Sequence, residues 1–242
     1  MAVFLDRYER KARLAPAIIV AVPPLSLLTF LGTAPAWLPA IPVLVAAATA
    51  YLLVDLVRTA GRSTERRLTA LWGALPTVLA LRYDASGSPL LRDRRRALVE
   101  RVAGVTLPTR RREHNRPEES NAEYQAALKT CINTVRTGQA GSELLFIENR
   151  NYGFRRNLRG LKMAGIILAI GSIVAAVTAG IALHALAPSA IASAVATIAL
   201  ALWIVVVRDS WVRSQADIYS EQFFSTLDTY VGSRSIPNGP PE

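Results

Sequence analysis

Four long apolar runs interrupt an otherwise polar chain: Leu14–Leu31, Leu38–Val57, Met163–Ala187 and Ser189–Val207. Each is about 18–25 residues, long enough as a helix to cross a hydrocarbon core of roughly 30 Å. Short connectors join them in pairs, Gly32–Trp37 in the first and Pro188 in the second. The pattern predicts an all-α polytopic membrane protein with four transmembrane helices as two hairpins, residues 14–58 and 163–207. A helical cytoplasmic module, residues 59–162, lies between them. A short interfacial helix over 1–13 precedes the first hairpin, with Phe4, Leu5 and Tyr8 opposite Asp6, Arg7, Arg10 and Lys11. A cytoplasmic amphipathic helix over 208–231 continues the fourth span, with Val212, Ala216, Tyr219, Phe223, Leu227 and Tyr230 at spacings of three and four, and a disordered tail follows over 232–242. That helix needs either the module or a neighbouring subunit as partner.

Within the module, Ser63–Tyr83 reads as helix, break and helix around Pro76, and Asp84–Pro89 as a loop. Leu90–Val102 reads as a helix with a basic face of Arg92, Arg94, Arg95, Arg96 and Arg101. The stretch Thr106–Glu119, with Pro108 and Pro117, reads as a loop. Ser120 and Glu123 match a capping box, opening a helix with Tyr124, Leu128, Cys131, Ile132 and Val135 on one face and Gly138 as its stop. A further helix begins at Ser142 and leads into Tyr152-Gly153, read as a break, and then into the basic run before the third span.

Charge sharpens the topology. All 28 Lys and Arg lie before Leu14, between Val57 and Met163, or after Val207, and the short connectors have none. The positive-inside rule then places both termini and the module on the cytoplasmic side of the membrane. Residues 59–162 hold 20 basic and 10 acidic side chains, a surplus equal to the chain's net +10. A cleaved signal peptide is the competing reading, with Arg10, Lys11 and Arg13 as its n-region and Ala34-Pro35-Ala36 as its cleavage site. Pro23-Pro24, Asp6, Glu9 and the immediate second span favour a hairpin. A soluble protein with four buried helices is a second competitor.

Candidate chemistry is sparse. There is no P-loop, GxGxxG or HExxH motif; His114 and His184 fall in distant segments, and Cys131 is alone. The expectation is a protein that is not an enzyme and needs neither cofactor nor metal. Two arginine triads, Arg94, Arg95, Arg96 and Arg110, Arg111, Arg112, are candidates to hold phosphates of a nucleotide, an oligonucleotide or a lipid. A basic loop beside an anionic leaflet is the bland alternative. Arg155, Arg156, Arg159 and Lys162 read as a lipid-headgroup anchor. Ser172, Ala176 and Gly180 in the third span, and Ser189, Ser193, Thr197 and Ala201 in the fourth, repeat at i+4 and are candidates for helix packing or pore lining. Asp55 snorkels, pairs with Arg58 or rings a pore mouth, and Ser26 and Thr29 accompany the Pro23-Pro24 kink. Gly153 and Gly160 are the expected flexing points between module and third span.

The segment Asn151-Tyr152-Gly153-Phe154-Arg155-Arg156-Asn157-Leu158, then Gly160-Leu161-Lys162 and a span, resembles a recurring bacterial family of uncharacterised four-helix membrane proteins. Leu71-Trp72-Gly73-Ala74-Leu75-Pro76-Thr77, Asp84–Pro89 and Leu107-Pro108-Thr109 share in that resemblance. The chain is also similar to membrane effectors of bacterial anti-phage systems such as the Hailong type. That similarity implies an oligomeric, channel-like assembly controlled by a nucleotide or oligonucleotide from a partner nucleotidyltransferase. The expected function is an oligomeric inner-membrane effector or channel gated by its cytoplasmic module. Its expected partners are membrane lipid and its own copies, with a tetramer the favoured count. The alternatives are a non-conducting scaffold that recruits a cytoplasmic partner, and a transporter component or lipid-processing enzyme.

Overall fold

The computed structural model of the chain describes residues 10–30, 43–84, 87–137 and 142–235. Residues 1–9 of the expected interfacial helix over 1–13, the Gly32–Trp37 connector, Pro39, Pro42, the Gly138 stop and residues 236–242 of the expected tail lie outside the described residues.

Among the described residues the secondary structure is entirely helical. A π-helical turn, Arg10–Leu14, leads into α1 (Ala15–Phe30). Then follow α2 (Val43–Trp72), α3 (Pro76–Leu79), α4 (Pro89–Ala103), α5 (Arg110–Asn115), α6 (Pro117–Thr137) and α7 (Ser142–Gly160). The chain closes with α8 (Lys162–Ala182), α9 (Leu186–Val205) and α10 (Asp209–Ser235). They form two compact units. The first holds the described residues up to Arg67 and Arg150–Arg213; the second holds Leu68–Asn149 and the residues from Ser214 onwards. The sequence-based module of residues 59–162 thus loses both its ends to the first unit.

Among the described residues, three helices are long and apolar enough to cross a membrane: Lys11–Leu28, α8 and α9. Four were expected. The remaining one, Leu38–Val57, is in part outside the described residues, and its described part opens α2. α2 does not stop near Arg58 but runs on to Trp72. Nothing between Thr59 and Trp72 breaks a helix except Gly61, which costs only about 1 kcal/mol in a helix. The stop comes at Gly73, whose φ of 82° an L side chain rarely adopts.

In the first unit α1, α8 and α9 pack on one another. The turn between α8 and α9 falls at Leu183–Ala185, with His184 at φ 52°, and not at Pro188. Pro188 sits in the first turn of α9, where its missing N–H is no loss because first-turn amides have no helical acceptor. Gly165 and Gly180 let the helices approach: a Cβ would stand 2.2 Å from the Trp203 ring and 2.7 Å from Ser189 Cβ, respectively. α1 stays helical through Pro23-Pro24, and the Ser26 hydroxyl donates to the Pro23 carbonyl at 2.8 Å. α9 ends at Val205 and α10 starts afresh at Asp209, so the fourth span does not continue unbroken.

The second unit has its own core. Tyr124, Leu128, Cys131 and Val135 of α6 meet Val78, Leu81, Val99 and Leu107. Phe223, Phe224 and Leu227 of α10 complete it. Each such buried side chain contributes about 1.5–3 kcal/mol, so these three together approach the ~5–15 kcal/mol stability of a whole domain. The C-terminal helix is therefore an integral part of this unit, and the choice between module and neighbouring subunit is decided for the module. α6 starts at Pro117, three residues before the expected capping serine. Ser120 is fully buried inside its first turn, and Glu123 pairs with Arg112. Part of the expected loop over 106–119 is α5, capped by the Thr109 hydroxyl, which accepts from the Arg112 amide.

Candidate functional site

The basic run before the third span lies on α7 as far as Gly160, and its last cation, Lys162, opens α8. Tyr152-Gly153 is no break: α7 passes through it and ends at Gly160. One turn, Leu161, separates α7 from α8. α7 is clamped where it crosses α2. A Cβ on Gly160 would stand 2.7 Å from the Ala60 carbonyl, and one on Gly61 only 1.7 Å from Asn157 Oδ1. Gly160 is there for close approach and not for flexing. Asn157, almost fully buried, donates through Nδ2 to the Ala12 carbonyl at 2.6 Å and so ties α7 to the N-terminal turn.

Around this crossing the four expected headgroup cations all have protein partners. Arg156 donates to Glu65 Oε2 at 2.7 Å, while the Tyr152 hydroxyl donates to Oε1 of the same carboxylate at 3.0 Å. Arg159 donates to Asp209 at 2.8 Å, and Arg67 grips both oxygens of Asp209 at 2.8 and 3.2 Å. Arg155 donates to the Trp211 carbonyl at 3.0 Å and stacks over the Trp211 ring. Lys162 donates to the Val207 carbonyl at 2.8 Å, satisfying an orphan acceptor at the end of α9. The bond from Arg67 holds the Asp209 carboxyl below its usual range, against the opposing effect of its partial burial. Sequence reasoning missed Glu65 and Asp209. Acidic residues two helices away in sequence give no periodic signal that they face one basic run.

In the second unit the first arginine triad is divided by its own helix. Arg95 and Arg96 point inward from α4. Arg96 donates to the carbonyls of Leu81 at 2.9 Å and Pro108 at 2.6 Å and to the Tyr124 hydroxyl at 2.7 Å. Its guanidinium lies 4.3 Å from the Tyr83 ring centre. The Tyr124 hydroxyl in turn donates to Glu113 Oε2 at 2.6 Å, and Glu113 Oε1 accepts from the Tyr83 amide at 2.9 Å. Burial, then the bond to Glu113, pushes the Tyr124 phenol above its ordinary range. Arg95 pairs with Glu221 and lies over the Phe224 ring. These two arginines are structural and are withdrawn from the expected phosphate site. A planar guanidinium with fixed donors can be buried where carbonyls and rings meet it.

Arg94 pairs with Asp228 and Arg112 with Glu123, both at exposed positions where such pairs are worth about 0–1 kcal/mol. Arg110 and Arg111 are exposed and have no carboxylate partner among the described residues. Arg110 and His114 border a polar cavity of about 350 Å³ with Arg82, Tyr83, Asp84 and Glu113. Arg82 donates to both oxygens of Asp84, which lowers the Asp84 carboxyl and raises the guanidinium. Arg111 and Arg112 border a second cavity of about 300 Å³ with Thr109, Asn115 and Arg116.

The small-residue stripes divide likewise. Ser172, Ala176, Gly180 and Ser189 are buried, whereas Ser193 is half-buried and Thr197 and Ala201 are exposed. The buried face of α9 is Ser189, Ala192, Ala196 and Trp203. A strict i+4 row drifts around a helix of 3.6 residues per turn, which carries Thr197 off the contact. Asp55 is exposed, His184 lies exposed in the α8–α9 turn, and the Thr29 side chain lies outside the described residues. Among the described residues no group of His, Cys, Asp and Glu is placed to hold a metal ion. Comparison with family models, with curated proteins and with solved structures gives no match.

Proposed function

We propose that this chain is an oligomeric effector of the bacterial inner membrane, in which a phosphate-bearing ligand on the arginine-rich second unit biases the packing of the apolar helices. In this reading Leu38–Val57 is the second of four spans, the spans form two hairpins, and both termini and the second unit are cytoplasmic. The observation that carries it is α7. Leu145, near its start, is in the core of the second unit, and its far end is clamped to Ala60, Gly61, Glu65 and Asp209 in the first. α7 is one helix of 19 residues that begins in the second unit and ends in the first. Arg110 and Arg111, with the weakly held Arg94 and Arg112, are the ligand contacts; a nucleotide or oligonucleotide fits the resemblance to anti-phage effectors.

A conducting path needs several copies. The α8–α9 seam is closed at Gly165 and Gly180, and the side chains of Thr178, whose hydroxyl donates to the Val174 carbonyl at 2.9 Å, and of Thr197 are exposed. Copies arranged with those faces inward would line a path with hydroxyl groups. The deciding experiment measures the detergent-solubilised mass and the conductance of reconstituted bilayers, with and without cyclic and linear oligonucleotides. A multimer whose conductance changes with ligand and is lost in Arg110→Ala/Arg111→Ala is expected. A monomer that conducts under none of these ligands overturns the reading. Non-conducting scaffolding is the second reading, and Leu90 and Leu91, 81% and 46% exposed at the start of α4, favour it as a contact for a cytoplasmic partner. Loss of a stoichiometric copurifying protein in Leu90→Ser, with membrane potential untouched by overexpression, would select it.

A further inference from the structure

A groove of about 550 Å³ runs along α9 in the first unit, and all twelve side chains that line it are apolar or aromatic. One wall runs from Val195 in α9 to Val206, its C-cap. At 1.5 Å per residue that wall is about 17 Å long, close to half of a ~30 Å hydrocarbon core. The groove therefore has the depth of one leaflet. Its two ends differ. Val195 and Ile198 lie in the middle of α9, whereas Val207 and Trp211 stand where α9 has ended and α10 begins.

That second end is cationic. Lys162 Nζ is 2.8 Å from the Val207 carbonyl, Arg155 donates to the Trp211 carbonyl at 3.0 Å, and Arg208 is exposed beside them. The nearby carboxylate, Asp209, is already shared by Arg67 and Arg159. Trp203 and Trp211 stand in the lining at this end, as tryptophan does at a membrane–water boundary.

We propose that the groove is a site for one acyl chain of an anionic glycerophospholipid whose headgroup phosphate sits at Lys162, Arg155 and Arg208. The proposal rests on the membrane reading above and adds a defined lipid to it. A second copy of the chain fits less well. A helix is about 10 Å across, so this volume would take little more than one of its turns, whereas an alkyl chain fills it lengthwise. The charge at one end then selects the headgroup, and the apolar wall excludes a soluble anion.

The test uses the full chain in nanodiscs of phosphatidylcholine containing a small fraction of phosphatidylglycerol brominated on its acyl chain. Bromine quenches tryptophan on contact, and in a chain carrying Trp37→Phe and Trp72→Phe the remaining Trp203 and Trp211 report the groove. Quenching at a several-fold lower lipid fraction than with brominated phosphatidylcholine is expected. Lys162→Gln should reduce that preference about fivefold, the equivalent of one interfacial cation. Ala199→Phe, which fills the groove without adding a tryptophan, should abolish the preference while the melting temperature in detergent is retained. If Ala199→Phe does not fold, the wild-type preference and Lys162→Gln still decide. Equal quenching by the two lipids overturns the proposal, and so does a pair of copies cross-linked through Ile198→Cys with no retained lipid. Resistance of the chain to alkaline carbonate extraction is measured in parallel. Release by carbonate refutes the membrane reading itself; retention with no lipid preference refutes the groove alone.

Discussion

Gly61 lies against Asn157 so closely that a Cβ on the glycine would stand 1.7 Å from the amide oxygen. The far neighbour is no loose chain end, because Asn157 is almost fully buried and bonded to the Ala12 carbonyl. Gly61→Ala should therefore force α2 and α7 apart and cost at least the ~1–3 kcal/mol typical of overpacking. Gly160→Ala, which meets the Ala60 backbone at 2.7 Å, should behave likewise. Gly171→Ala has open space and should be neutral or slightly stabilising. Thermal unfolding of the three variants in one detergent checks this, and a stable Gly61→Ala would show that the crossing is not tight.

Arg96 reaches buried Glu113 only through Tyr124, and Arg82 faces the same carboxylate at 3.7 Å. Arg96→Met should leave the buried carbonyls of Leu81 and Pro108 without their donor, with a loss of about 1–3 kcal/mol. Arg110→Ala and Arg111→Ala, at exposed positions, should stay within about 0.5 kcal/mol. Chemical denaturation followed by circular dichroism separates the two classes. Equal effects would return Arg96 to the list of free cations.

Asp209 gives an acid limb. Its carboxyl is lowered in the folded state by Arg67 and Arg159, so the stabilisation is present above the unfolded value and is lost as pH falls through the folded one. Melting temperature should fall below about pH 4, and Asp209→Asn should be less stable at neutral pH but flatter in that window. Parallel slopes for the two proteins would remove Asp209 as the cause.

Burial pushes the Cys131 thiol up to about 11, and the thiol is fully buried. At pH 8 it should react with alkylating reagents far more slowly than a free cysteine, whose pKa is about 8.5. Its labelling rate should rise in Arg96→Met, because both belong to the second unit. Tyr124 sets the alkaline limb: its raised phenol keeps its proton while unfolded tyrosine ionises near pH 10, so stability should drop above that pH. Tyr124→Phe should flatten this limb. Fast labelling of the folded wild type would show that the core opens readily.

Hydrophobic patterning determined the helical class, the apolar helices and the buried faces of α6 and α10, because burial of one face imposes a period of 3.6 on the sequence itself. Charge placement separated the apolar runs from the basic segment for the same local reason. Tertiary structure alone decided what each cation does. Arg94, Arg95 and Arg96 are neighbours in sequence, yet α4 sends Arg96 into a cage of carbonyls and rings and leaves Arg94 at the surface. Arg156 and Arg159 read as lipid anchors until Glu65 and Asp209 come to face them across helix contacts. Partners separated by 91 and 50 residues leave no trace in any local window, since an ion pair needs only proximity and imposes no spacing. Gly153 and Gly160 show the same limit. A glycine reads as freedom in the sequence, but Gly153 is buried within α7, and at Gly160 the missing side chain is the space another helix occupies.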